Sequence, residues 1–240
     1  MSCATTLTWQ FRGEEGPWPR LRRTSVWIIT AGARADPMDV KELIYGPLTP
    51  LYDMVCGAML QPGRRRAMSL LNPRAGERIL EVGVGTGYGV NDYPVGCCIV
   101  AIDLSQAMLE RAIRRVDSEH RRQIKFARMD AAHLALPSGW FDAVYVPYTI
   151  NCVPDPLAVG RELQRVCAPH GRMVFLNHFD GIPETSNLLN AYAGRMARVA
   201  DVNWHLRLDT FTAALQLRVR RVESVNVPRL SSAVLCEKAA

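Results

Sequence analysis

No apolar run in this 240-residue chain approaches the roughly 18 to 20 residues that span a bilayer, so any membrane contact is expected to be peripheral. A secretory leader is not expected either: Arg20, Arg22 and Arg23 precede apolar residues 26–29, but that core is short and Glu14 and Glu15 spoil the basic leader. The seven cysteines form no C-x-x-C pair and no His-rich ligand spacing. Their odd number and scatter exclude a disulfide framework and predict reduced buried thiols in a cytosolic protein, with no metal expected. Lysine is scarce, so the formal charge of +6 is carried almost wholly by arginine. This basic balance is open to two readings, an affinity for anionic partners such as phospholipid headgroups or nucleic acid, or arginine-rich genomic composition. Residues 1–37 lack helical or strand periodicity and read as a disordered extension or an over-extended gene start, with structured patterning beginning at Met38.

What is present is enough for one α/β domain over residues 38–240, given 48% apolar content. From Met38 to Leu71 the pattern is helical, punctuated by Gly46-Pro47, Thr49-Pro50 and Pro62-Gly63, and Asn72-Pro73 stops it because the residue before proline is pushed out of the α region. Strands are expected at 78–82, 98–103, 124–128, 141–146 and 173–177. Helices lie between them at 106–116, capped by Ser105, and at 157–167, capped by Asp155 ahead of Pro156. This alternation predicts a parallel, doubly wound sheet whose ligand sits at the carboxyl ends of the strands. Further helices are expected at 185–202 and 209–217. Residues 218–227 and 230–238 are joined only by Pro228-Arg229, too short a link for a parallel crossover, so they must form an antiparallel hairpin.

The most informative segment is Ile79-Leu-Glu-Val-Gly-Val-Gly-Thr-Gly87, with Asp103 closing the next strand. Glycines there allow a sharp turn with positive φ and a close approach to a ligand. A carboxylate at the end of the following strand can accept from ribose hydroxyls. The dinucleotide fingerprint G-x-G-x-x-G fails, because its third glycine falls on Tyr88. The spacing G-x-G-x-G after Glu81 instead resembles motif I of class I S-adenosylmethionine (SAM) dependent methyltransferases, and the likeness covers roughly residues 45 to 240.

That resemblance implies a Rossmann-like fold with a mostly parallel seven-stranded sheet, a C-terminal antiparallel hairpin and an N-terminal helical lid at about 38–71. It also implies SAM as cofactor and S-adenosylhomocysteine as product. Gly83, Gly85 and Gly87 would lie against the amino-acid part of the cofactor, and Glu81 would stand near its ammonium group or order the loop. Asp103 would accept both ribose hydroxyls, Leu104 and Met108 would flank the adenine, and Asp130 in Arg-Met-Asp-Ala131 would accept from the adenine amino group. Residues 145–149, including Pro147, would pass beside the sulfonium.

For the acceptor, several runs look like the bacterial phosphatidylethanolamine N-methyltransferases: Tyr45-Gly-Pro-Leu-Thr-Pro-Leu-Tyr52-Asp53, Gly63-Arg64-Arg65, Val153-Pro-Asp-Pro156 and Asn177-His178-Phe179. The likeness implies that Tyr45 and Tyr52 cover the active site, that Arg64, Arg65 and Arg66 lie near a lipid phosphate, and that Asn177 and His178 close the strand beside the acceptor; Tyr148 and Asn151 are further candidates, in the loop where a substrate would lie. The chain departs from that family at 148–152, which reads Tyr-Thr-Ile-Asn-Cys. The expected partners are a phospholipid or small-molecule amine and, peripherally, an anionic inner-membrane surface. A small-molecule N-, O- or C-methyltransferase acting on a quinone precursor or secondary metabolite remains an alternative, as does a non-catalytic SAM-binding protein. Nucleic acid is disfavoured: Tyr145-Val-Pro-Tyr148 keeps only the final Pro-Tyr of the exocyclic-amine motif, and no RNA-binding signature is present. His120, His133, His170 and His205 show no partner pattern and are expected on the surface.

Overall fold

A computed structural model describes residues 29–30, 57–180, 205–226 and 231–238. The expected helix at 185–202, the hairpin link at Pro228-Arg229, and Tyr45 and Tyr52 of the lid lie outside the described residues, as do all but residues 29 and 30 of the first 37.

Eight strands, β1 (Ile29–Thr30), β2 (Arg78–Val82), β3 (Cys98–Asp103), β4 (Ile124–Arg128), β5 (Phe141–Pro147), β6 (Cys167–Asn177), β7 (Leu217–Val225) and β8 (Ser231–Lys238), form one sheet. Their order is β1-β4-β3-β2-β5-β6-β8-β7. All neighbours are parallel except that β8 runs antiparallel to both β6 and β7. Seven of these strands are the sheet expected from the sequence. The eighth, the two-residue β1, pairs with Ala127 and Arg128 along the outer edge of β4.

The helices are α1 (Ala58–Leu71), α2 (Gln106–Arg115), α3 (Pro156–Val166) and α4 (Leu208–Ala214). Ser105 caps α2 by accepting the Met108 N–H, and Arg114 and Arg115 in its last turn complement the helix dipole. Asp155 caps α3 through the Leu157 and Ala158 N–H groups, with Pro156 opening the helix. The buried positions Val159, Leu163 and Val166 make its apolar stripe.

Leu80, Val82, Val144, Val146 and Phe175 point to one side of the sheet, into the core that also holds Val159 and Leu163 of α3 and Phe211 of α4. Ile79, Ile99, Ala101, Ala143 and Val174 point to the other, with Ala67 and Leu71 of α1 and Leu109 and Ala112 of α2. The period-2 alternation of a strand thus sends Glu81 and Tyr145 to the α1 and α2 side.

Four expectations need correction. Cys152 is exposed, whereas Cys97, Cys98, Cys167 and Cys236 are buried thiols as expected. α1 continues through Pro62 instead of breaking at Pro62-Gly63. Proline removes one intrahelical N–H, and the next one, on Gly63, is taken by the side chain of Asn226 at 2.8 Å, which holds the helix across the site. β6 begins at Cys167, not Met173, because Cys167 pairs with Phe141 and the chain then bulges before Arg172 pairs with Ala143. His120 is buried, its Nδ1 2.7 Å from Asp117 and its Nε2 2.9 Å from the Tyr93 carbonyl. Burial disfavours the charged ring, but these two hydrogen bonds and the charges of Asp117 and Glu119 together outweigh it and raise the pKa. His133, His170 and His205 are exposed as expected. Among the described residues no helix is long and apolar enough to cross a membrane.

Candidate cofactor and acceptor site

Strand order reverses between β2 and β5, since β3 and β4 lie to one side of β2 while β5 and β6 lie to the other. Loops leaving the carboxyl ends of β2 and β5 therefore diverge and open a crevice. The loop at 83–87 lines it. Its three glycines all have positive φ but serve different ends. A Cβ on Gly83 would stand 2.0 Å from Thr149 Oγ1, and one on Gly87 2.7 Å from the Ala112 Cα, so these two let β5 and α2 press against the loop. A Cβ on Gly85, at φ +56°, meets nothing within 4 Å. The crest of the loop thus faces open space, which fits a ligand approaching the bare backbone.

Asp103 ends β3 beside that crest. Its Oδ2 accepts the Gly85 N–H at 2.8 Å and its Oδ1 accepts the Ser105 N–H at 2.9 Å. Burial raises its pKa against the lowering effect of these N–H groups. Each oxygen keeps a further lone pair for a ligand hydroxyl. Leu104 next to it is exposed and Met108 lies half-buried one turn on, so both offer apolar surface beside the carboxylate. Beyond β4, Asp130 folds its own turn, Oδ1 accepting the Ala132 N–H at 2.9 Å and Oδ2 lying 3.2 Å from His133 Nδ1, while Ala131 is half-buried. This set of acceptors and apolar side chains fits an adenosyl ligand.

Beneath the loop, on the α1 side, lies a buried polar cluster. Glu81 and Tyr145 are register partners on adjacent parallel strands. Glu81 is 2% exposed and accepts the Tyr93 hydroxyl at 3.0 Å. Burial pushes its carboxyl up to about 7, against the lowering hydrogen bond from Tyr93 and the charge of Arg64. The guanidinium of Arg64 lies 5.0 Å from the ring centroid of Tyr148 and 5.7 Å from that of Tyr88. The other guanidinium near Tyr88, that of Arg115, stacks at 3.9 Å. Arg64 Nη1, Gln61 Oε1 and the Tyr145 hydroxyl are buried without hydrogen-bond partners. Each such group costs about 1–3 kcal/mol if nothing meets it.

At the ends of β5 and β6 a second polar set gathers. Tyr148 adopts φ +53°, a left-handed conformation costing roughly 1–2 kcal/mol in a non-glycine residue. It turns its ring onto α1, where the hydroxyl accepts from Asn226 Nδ2 at 2.9 Å. Thr149 donates to the Val82 or Pro147 carbonyl, each 2.9 Å away, joining β5 to β2, and Pro147 itself is buried. Asn151 is buried and donates through Nδ2 to the His178 carbonyl at 2.8 Å, leaving Oδ1 without a partner. Asn177 is buried with Nδ2 unmatched, and His178 is buried beside it.

The structure thus brings Glu81, the three glycines, Asp103, Leu104 and Met108 together at β2 and β3, and Tyr148, Asn151, Asn177 and His178 together at β5 and β6. It divides the arginines expected to act jointly: Arg64 turns inward to the aromatic rings, Arg65 is exposed, and Arg66 pairs with Glu223 of β7. Sequence reading missed Tyr93 and Asn226, and it placed Thr149 in the run beside the sulfonium without its contacts to β2. Tyr93 falls in an irregular segment and Asn226 at the end of a strand, so no periodicity marks them.

Comparisons with known proteins agree with this geometry. A family model described as a methyltransferase domain matches residues 80–175. The chain is 35% identical over 173 residues to a phosphatidylethanolamine N-methyltransferase of Cereibacter sphaeroides, a match covering 70% of this chain and 83% of the relative. It is 33% identical over 141 residues to a demethylmenaquinone methyltransferase of Thermus thermophilus, covering 55% of this chain and 63% of that one. The fold resembles that of a SAM-dependent methyltransferase from Aquifex aeolicus, with a TM-score of 0.58 at 17% identity over 74% of this chain and 90% of the other. It also resembles the geranyl diphosphate C-methyltransferase of Streptomyces coelicolor solved with S-adenosylhomocysteine, with a TM-score of 0.61 at 12% identity over 73% and 75%. With the strand order, the glycine loop and these relatives in agreement, the chain belongs to the class I SAM-dependent methyltransferases.

Proposed function

We propose that this methyltransferase N-methylates phosphatidylethanolamine or its methylated forms at a membrane surface. The observation that carries the reading is the extent of likeness to the Cereibacter sphaeroides enzyme, 35% identity over 83% of that protein's length. The cofactor supplies an electrophilic methyl group on a sulfonium. The residues proposed to hold it are Glu81, Gly83, Gly85, Gly87, Asp103, Leu104, Met108, Asp130, Ala131 and Pro147. The protein's task is then to align an unprotonated amine with that methyl and keep water away. Tyr148 and His178, with Tyr45 and Tyr52 of the lid, would surround the amine. The unmatched Oδ1 of Asn151 and Nδ2 of Asn177 support this reading, since polar atoms left over at the ends of β5 and β6 suit an acceptor carrying both N–H and oxygen groups.

A second reading, methylation of a quinone precursor, is favoured by the 33% identity to the Thermus thermophilus enzyme. Incubating the protein with methyl-labelled SAM and either phosphatidylethanolamine liposomes or a demethylated naphthoquinone separates the two. Label recovered in mono-, di- or trimethylated phosphatidylethanolamine is the expected result. Label only in the quinone, or in neither, would sink the lipid assignment.

A further inference from the structure

We propose that His120 is a positioning residue for the cofactor site: as an imidazolium it holds the main chain of Tyr93, whose hydroxyl sets the carboxyl of Glu81. The proposal rests on the SAM-dependent reading and gives a role to a buried ring that lies outside the glycine loop. Tyr93 belongs to no helix or strand, so no ladder of backbone bonds fixes it. Its segment is instead tied to the turn after α2. Asn91 donates through Nδ2 to the Arg115 carbonyl at 3.1 Å and accepts the Asp117 N–H at 3.2 Å, and Gln123 Oε1 accepts the Gly96 N–H at 2.9 Å. Between these ties His120 Nε2 meets the Tyr93 carbonyl at 2.9 Å, while the Tyr93 hydroxyl donates to Glu81 at 3.0 Å.

The heavy atoms fix the charge on the ring. Nδ1 lies 2.7 Å from Asp117 Oδ1 and Nε2 faces a backbone carbonyl, so both nitrogens face acceptors and only the doubly protonated ring donates to both. Asp117 stays ionised, its carboxyl held below the usual range by the His120 backbone N–H and ring. When the ring loses a proton, the one that remains favours the carboxylate, a charge-assisted partner, and the Nε2 lone pair is left against the Tyr93 carbonyl. The anchor then fails. Burial disfavours the ring's charge, but both contacts and the charges of Asp117 and Glu119 outweigh it, so the imidazolium persists above the ordinary histidine range and is lost as pH rises further. Around Tyr93, burial holds the Tyr93 and Tyr145 hydroxyls well above their usual range and pushes the Cys97 thiol up to about 11. Glu81 and His120 are thus the groups of this cluster that change charge near neutrality.

Asp117→Asn separates this anchor from a merely structural contact. Position 117 is half-exposed, and its new amide can donate to Nδ1, so a neutral ring keeps its proton on Nε2 and holds the Tyr93 carbonyl at every pH. S-Adenosylhomocysteine affinity of the full chain is measured by isothermal titration at pH 6, 7, 8 and 9. The two proteins should bind equally at pH 6, and wild type should fall behind Asp117→Asn by roughly three- to tenfold at pH 9, the worth of one hydrogen bond. Glu81, which also feels Arg64, Asp92 and Asp103, titrates in both proteins, so the ratio of their affinities isolates His120. Tyr93→Phe in both backgrounds should erase the divergence, since the hydroxyl carries the effect to Glu81. A divergence that survives Tyr93→Phe overturns the route through the hydroxyl. In nitrogen-15 NMR of the histidines, one ring should be mostly doubly protonated at the ordinary midpoint of about 6.5 and turn neutral in Asp117→Asn. No such ring overturns the imidazolium. Wild-type protein that binds no S-adenosylhomocysteine at any pH would overturn SAM dependence and the proposal with it, whereas binding with a constant ratio overturns the proposal alone.

Discussion

Asp103 grips the crest of the glycine loop, its Oδ2 accepting the Gly85 N–H at 2.8 Å. The same carboxylate is proposed to accept the ribose hydroxyls, so Asp103→Ala removes a ligand contact and a loop tether at once. S-Adenosylhomocysteine affinity measured by isothermal titration should fall at least about a hundredfold, the scale of two charged hydrogen bonds. Equal affinity in wild type and variant would show the ribose assignment to be wrong.

Gly85 and Gly87 should respond differently to alanine. Gly87→Ala drives a methyl to within 3 Å of the Ala112 backbone and is expected to lower stability by several kcal/mol, on the order of 3 or more, measured by urea unfolding. Gly85→Ala meets no neighbour and should cost only the roughly 1–2 kcal/mol of its left-handed φ. Its main effect should be on cofactor affinity, because the added methyl occupies the approach to the loop.

The raised pKa of Glu81 sets the sign of a pH effect. The native protein holds a proton on this carboxyl up to about 7, while the unfolded chain releases it near the ordinary 4.5. Between those values the native state binds more protons, so its stability falls as pH rises through the window and the loss is complete above it. Glu81→Gln should flatten this part of the stability profile and be more stable than wild type at pH 8 by up to about 3 kcal/mol. Chemical denaturation at pH 4.5, 6 and 8 checks it. A parallel profile in the two proteins would contradict the burial argument.

Asn226 joins three elements through one amide: Oδ1 accepts the Gly63 N–H of α1 and Nδ2 donates to Tyr148 after β5. Asn226→Ala strands both partners and should cost about 2 kcal/mol in unfolding free energy. Tyr148→Phe should cost about 1–2 kcal/mol and retain S-adenosylhomocysteine affinity. A large loss of affinity with no loss of stability in Tyr148→Phe would place the hydroxyl on the ligand instead of on Asn226.

The sheet was legible because its strands are apolar runs with turn signals between them, and because Pro228-Arg229 forbids a parallel crossover. The cofactor end was legible for a related reason: Gly83, Gly85, Gly87 and Asp103 are close in sequence and fixed in spacing. Pro62 misled because Asn226, over 160 residues away, takes up the donor of the next residue, Gly63, and so helps carry the helix past the proline. His120 misled because its partners are a turn aspartate and a backbone carbonyl, neither of which leaves a spacing pattern. The three consecutive arginines look equivalent in sequence, yet successive residues on a helix point about 100° apart, so each meets a different environment.

The loop at 83–87 is held at its crest by Asp103 on Gly85 and at its end by the backbone of α2 against Gly87. A segment so pinned has already given up its conformational entropy when the chain folds. Ligand binding then carries no ordering penalty at the loop, and more of the contact free energy is available as affinity.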